Sequence, residues 1–239
     1  WPNMSQRRAD TLPYGGLMLS VLLERFTPKH IVLAPGGLRD GMVYQALGKQ
    51  VQSRDALIDA CIGISGGHHN ASSRANSNGN TYLNASDGHR IGTALFEFLR
   101  SIHTALPSAF DPSSEDRIRR AACLLIATGA GLHPDHRAQI VYEIALYGPL
   151  PGLSHKERAF LALVLFRSYR SRKKPPNQAI LAHLLDPHEQ SCAEIYGEAI
   201  RAAVVLSGRS SRALEWFSLS ANQTHLCLSA DEAGASLML

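Results

Sequence analysis

The chain has 239 residues, 45% of them apolar, with 24 Lys or Arg against 20 Asp or Glu and a net charge of +4. That composition excludes a disordered polyelectrolyte and leaves room for one or two domains with substantial cores. The longest uninterrupted apolar run, Ala159–Phe166, falls well short of the roughly 20 residues that cross a bilayer. No secretory leader pattern is read, so a cytoplasmic protein is expected. Four scattered cysteines, Cys61, Cys123, Cys192 and Cys227, form no C-x-x-C pair and are expected as reduced, buried thiols.

In chain order, Leu17, Val21 and Leu22 predict a first helix, and the four apolar residues after Lys29-His30, Ile31 to Ala34, predict a short strand. Pro35-Gly36-Gly37 breaks that strand before a second helix from Arg39 to Leu47. A glycine turn so placed can aim backbone N–H groups at a phosphate or nucleotide, or it can be a plain strand-to-helix turn. Arg54 to Ile62 continues as a short helix. From Gly63 to Gly88 the composition changes to Gly, Asn, Ser and His with no apolar period, which predicts a flexible linker or insertion. His68-His69 within it has no carboxylate or thiol company that would suggest a metal site.

The remainder reads as mostly helical. Ile91, Leu95, Phe98, Leu99 and Ile102 form one amphipathic face, and Pro112-Ser113-Ser114-Glu115 starts the next helix, with Ile118, Ala121, Ala122 and Leu125 inward. His133-Pro134-Asp135 opens a third helix with Ile140, Ile144 and Tyr147 as its apolar positions. Ser154 caps a helix from Lys156 to Arg170 that is apolar nearly all round and is placed in the middle of the bundle. A further helix runs from about Glu189 to Leu206, and Ala213 to Leu219 and Thr224 to Leu228 read as two strands around Ala221-Asn222.

The charge is uneven. Between His155 and Lys174 seven Lys or Arg face one acid, Glu157, an excess of +6. Arg167, Arg170 and Lys174 recur at helical spacing, with Arg172 and Lys173 between them, which suits a polyanion. A solvated helix C-terminus stopped by Pro175-Pro176 would carry the same residues.

Five segments, in chain order, add a family resemblance. "RRADTLPYGGLML" followed by "IVLAPGGLRDGMVY" resembles the end of the second actin-like domain of exopolyphosphatases and guanosine pentaphosphate phosphohydrolases. "RRAACLLIATGAGLHPDHRAQ", "HKERAFLALVLFRSY" and "AEIYGEAIRAAVVLSG" resemble the HD-like helical domain of the same family. The implied fold is mostly α: the end of an actin-like, ribonuclease H-like α/β domain over 1–62, the linker over 63–88, a degenerate HD-like bundle over 89–208 and a small α/β segment over 209–239. The chain, starting at Trp1, is then expected to be the C-terminal portion of a longer protein.

By that resemblance Gly36, Gly37, Arg39, Gly41 and Arg8 belong to a nucleotide or phosphate cleft, and Arg167, Arg170, Arg172, Lys173 and Lys174 guide a polyanion. The family's His-Asp metal pair falls on Ile126-Ala127, which cannot bind a metal. His89 stands for the upstream histidine, and His133, Asp135 and His136 are expected to cap a helix. No catalytic or metal-ligating residue is expected in this chain. The family's reaction, Mg²⁺-dependent removal of terminal phosphate from inorganic polyphosphate or guanosine pentaphosphate, would take its carboxylate and phosphate loops from elsewhere. A homodimer is implied, and neither membrane nor nucleic acid is the expected partner. The alternative reading is a non-catalytic HD-like module that binds a nucleotide, polyphosphate or RNA.

Overall fold

The computed structural model describes residues 4–31, 37–66, 85–169, 173–222 and 225–237. The chain divides into two units, Trp1–Val43 and Tyr44–Leu239. It is mostly helical, with eleven α-helices among the described residues and one small antiparallel sheet. None of the described helices is long and apolar enough to cross a membrane.

In the first unit α1 spans Gln6–Phe26, and α2, Leu38–Ala46, begins there. Helix α1 continues through Pro13, which lacks the N–H a helix interior normally donates. The helix predicted from Leu17, Val21 and Leu22 is present, but none of its residues is buried and these three are exposed. Most of the expected strand and Gly36 lie outside the described residues.

The second unit opens with α3 (Lys49–Gln52) and α4 (Ala56–Ile64). Asp55 caps α4 by accepting the amides of Leu57 and Ile58, and its carboxylate also takes the Arg117 guanidinium at 2.7 Å. Helix α5 begins at Ala85 and runs to Arg100, so the expected linker is shorter at both ends; residues 67–84 lie outside the described residues. Gly88 reads as loop yet sits in a helix because nothing larger fits: a Cβ there would stand 2.6 Å from the Ser65 carbonyl oxygen and 3.3 Å from the Ala127 Cβ. One turn on, a Cβ at Gly92 would meet the Cys123 carbonyl oxygen at 2.7 Å. These two glycines let α5 pack backbone to backbone against α6 (Pro112–Leu125) and the 3₁₀ turn Ile126–Gly129.

Helices α7 (Arg137–Tyr147) and α10 (Pro187–Ser207) flank α8 (His155–Tyr169), in which every residue from Ala159 to Phe166 is buried. Each fully buried Leu or Phe of that run contributes about 1.5–3 kcal/mol, so α8 is the main organiser of the core. Ser154 caps it as expected, accepting the Glu157 amide through its hydroxyl. Helix α7 turns a different face inward from the expected one. Ala138, Val141, Tyr142 and Ala145 are buried, while Ile140 and Tyr147 are exposed. The alanines on that face let α7 approach α8 closely, and close packing outweighs the larger hydrophobes. Helix α9 (Gln178–Leu184) has no sequence expectation behind it; only Leu181 of its residues is buried.

A capping box closes the start of α10: the Asp186 carboxylate accepts the Glu189 amide and the Glu189 carboxylate accepts the Asp186 amide. After α10 the strands start later than expected, β1 at Phe217–Ala221 and β2 at Leu226–Ala230, paired from Phe217↔Ala230 to Ala221↔Leu226. Residues 213–216 form a 3₁₀ turn, since Ala213 and Leu214 are consecutive and both buried, which a strand's alternation forbids. Helix α11 (Glu232–Leu237) follows. Cys61, Cys123 and Cys192 are buried free thiols and Cys227 is an exposed one, which corrects the expectation for the fourth.

A polar knot lies inside the bundle. Glu115 accepts from the Ala109 and Phe110 amides and pairs with Arg119 at 2.9 Å, and Arg119 also donates to the carbonyls of His103 and Pro107. The His103 ring packs edge-on against Phe96 and Tyr196. Burial, helped by Arg119 and Arg100 and opposed by Asp116, lowers its pKa from 6.5 to about 4. A histidine held neutral in the folded state costs stability wherever the unfolded chain takes up the proton first. Stability is therefore expected to be full above pH 6.5 and to fall progressively towards pH 4, by on the order of 2 kcal/mol. Urea midpoints at pH 7.5 and 4.5 check this, with His103→Phe expected to flatten the step.

Candidate functional site

The two expected binding clusters are placed quite differently. In the first unit Arg8 lies in the first turn of α1, and Arg39 and Gly41 lie exposed in α2. No hydrogen bond or ion pair joins Arg8 to them among the described residues. The Gly37 amide, read as free to face a phosphate, donates to the Asp40 carboxylate at 2.6 Å. It is thus satisfied within the turn.

The basic run of α8 is partly neutralised by α10. Lys156 pairs with Glu189 at 2.5 Å, and Arg167 pairs with Glu194 while also donating to the Lys173 carbonyl. Arg158 donates to the carbonyls of Ala145, Gly148 and Leu150, satisfying the end of α7. Lys173 and Lys174 lie outside any helix, so Lys174 does not continue the helical face of Arg167 as its spacing suggests. Both lysines are exposed, and Arg170 and Arg172 lie outside the described residues.

A cluster that sequence reasoning missed forms beside the 126–129 turn. The Tyr169 phenol at the end of α8 donates to the Ile126 carbonyl, an approach that needs Gly129, since a Cβ there would lie 2.5 Å from the phenol oxygen. The Arg137 guanidinium, at the start of α7, lies 5.0 Å above the Tyr169 ring, a cation–π contact. Arg209, just after α10, donates to the Ala130 carbonyl at 3.2 Å. Burial pushes the Tyr169 phenol up to about 12 despite the pull of Arg209 and Arg137, so it stays a neutral donor. Arg137 Nε and Thr128 Oγ1 are buried and have no hydrogen-bond partner among the described residues. Arg137 and Arg209 thus bring two guanidinium groups to this turn, an arrangement that suits an anion with several acceptor oxygens.

This cluster adjoins the position where the resemblance placed the metal pair. Ile126 is buried in the core, and Ala127 packs against Gly88, next to His89. His133 and Asp135 are exposed, with 3.8 Å between His133 Nδ1 and the carboxylate. Among the described residues no three His, Cys, Asp or Glu come together as metal ligands. The side chains here do not fit Mg²⁺. Another cleft, of about 420 Å³ between α4 and α6, holds Arg54, Arg117 and Arg120, but Asp55, Asp59 and Asp116 balance them.

Residues 100–232, more than half of the chain and spanning α6 to the start of α11, match the family described as exopolyphosphatase, C-terminal. The chain belongs to the exopolyphosphatase C-terminal family. No curated protein matches it. The family match covers Arg137, Tyr169 and Arg209 together with the basic stretch after α8. Sequence offered little signal for the cluster, because its three side chains come from three elements with no shared motif and meet only through packing.

Proposed function

We propose that this chain is the phosphate-chain-binding C-terminal part of an exopolyphosphatase-type hydrolase. The observation that carries the reading is the Arg137–Tyr169–Arg209 cluster, where two guanidinium groups stand beside the 126–129 turn, next to the residues on which the resemblance puts a metallophosphohydrolase's ligand pair. Positive charge held by arginine grips a phosphate without activating water, so the role is binding rather than hydrolysis. Exposed Lys173 and Lys174 follow Tyr169 within five positions and extend the charge along a chain-like ligand. Inorganic polyphosphate is the ligand we favour over guanosine pentaphosphate, since the named groups form a run of positive charge that matches a repeating phosphate chain.

The resemblance of the first unit to the end of an actin-like domain supports placing the catalytic carboxylate, phosphate loops and Mg²⁺ outside these residues. The purified chain is expected to retain polyphosphate on a filter and to release no orthophosphate with Mg²⁺ above a heat-killed control. Chelator-sensitive turnover would overturn the binding-only role, and absence of retention would overturn the reading as a whole.

A further inference from the structure

The turn His133-Pro134-Asp135-His136 leads directly into Arg137 at the start of α7. His133 and His136 are both exposed, with 5.7 Å between their ring centroids and an angle of 41° between the rings. The His133 Nδ1 accepts the Asp135 amide at 3.3 Å, which fixes that ring on the turn. His136 precedes the helix, and its side chain makes no capping hydrogen bond. On the other side of Arg137, more than a turn along α7, the Tyr142 phenol donates to the Pro176 carbonyl at 2.9 Å. Lys173 and Lys174 lead from Tyr169 to that contact, whereas the histidines stand on the N-terminal side of Arg137.

The charged groups around the pair are Asp135 on the turn itself, Arg137 on α7, and Arg209, which reaches the Ala130 carbonyl from beyond α10. Tyr169 on α8 is a neutral phenol, and Glu143, two turns along α7, accepts from Gln139 at 2.9 Å. With neutral histidines the turn 133–136 carries the single negative charge of Asp135; with both protonated it carries one positive charge. Histidine is the side chain whose charge ordinarily changes between about pH 5 and 8. The charge of this turn therefore reverses sign in that range, immediately beside Arg137, where salt screens least. Resting on the reading of the Tyr169 cluster as a polyphosphate site, we propose that His133 and His136 extend it as a proton-dependent contact. Polyphosphate then binds more tightly as pH falls from about 8 to about 6. The interior phosphates of a long chain stay ionised throughout, so the titration is on the protein side.

The test is filter retention of long-chain polyphosphate by the full chain at about pH 8 and about pH 6, at one low salt concentration. Wild-type affinity is expected to rise roughly fivefold at the lower pH, as two exposed ion pairs would give. His133→Gln with His136→Gln should change by less than about twofold between the two. His136→Lys, which makes the charge permanent, should bind more tightly than wild type at the higher pH and respond less to acid. His155→Gln, on an exposed histidine at the other end of α8 from Tyr169, should keep the wild-type ratio. Urea midpoints at each pH show that the compared proteins are folded. Equal wild-type affinity at the two pH values overturns the proposal and leaves the polyphosphate reading standing, as does a double variant that keeps the wild-type ratio. No retention at either pH overturns both.

Discussion

Arg119→Met is expected to lower the unfolding free energy of the helical unit by about 3–5 kcal/mol, a large share of the roughly 5–15 kcal/mol that holds an ordinary domain folded. Arg119 and Glu115 are 3% and 5% exposed, so the substitution strands a carboxylate in the core. It also removes the donors that satisfy the carbonyls of His103 and Pro107, and the cation over the Tyr196 ring at 5.1 Å. Methionine matches much of the volume, so the loss measures charge and hydrogen bonding rather than a cavity. Replacing both partners, Arg119→Met with Glu115→Gln, should recover part of the stability because no charge remains buried. The exposed Arg201–Glu198 pair is the control, and Arg201→Met should shift stability by less than about 0.5 kcal/mol. Urea unfolding of the four proteins checks the set, and a small effect of Arg119→Met would show that the knot is solvated.

Much of the bundle was legible because its strongest signals are local. Helix α8 is apolar on all sides and is therefore central, and Ile91, Leu95 and Leu99 of α5, with Ile102 just after it, are buried as their period implies. The errors arise where packing overrides pattern. Gly88 and the small residues of α7 resemble loop or surface composition, but they mark the places where backbones come closest. The 3₁₀ turn at 213–216 took residues expected in a strand because two consecutive side chains face the core.

The site was less legible than the fold. The +6 stretch at 155–174 counts charges without their partners, and Glu189 and Glu194, more than a turn of sequence beyond it, take Lys156 and Arg167. Arg137 and Arg209 sit in unremarkable surroundings of the sequence and acquire meaning only when α7, α8 and α10 close around Tyr169. The resemblance put the metal-pair position at Ile126-Ala127 but gave no sign of the cluster that stands beside it.

The second large effect concerns binding. A variant carrying Arg137→Gln, Arg209→Gln, Lys173→Gln and Lys174→Gln is expected to bind polyphosphate at least about thirtyfold more weakly at low salt. Four contacts at about 0.5–1 kcal/mol each give that range, with about 1.4 kcal/mol for each tenfold. The two lysine substitutions alone, on exposed side chains after α8, should account for a several-fold loss without any change in urea midpoint. Arg137 also packs on Tyr169, so the full variant is compared only after its midpoint is shown to match wild type closely.

The most direct measurement is the salt dependence of polyphosphate affinity for the wild type and this fourfold variant between 50 and 300 mM. Binding through phosphate contacts releases counterions, at roughly 0.7 of a logarithmic unit of affinity per contact per tenfold rise in salt for a single-stranded polyanion. The account predicts a steep wild-type slope and a variant slope shallower by about two to three units. Equal slopes and equal affinities for the two proteins would contradict it, placing the phosphate chain somewhere other than the cluster around Tyr169.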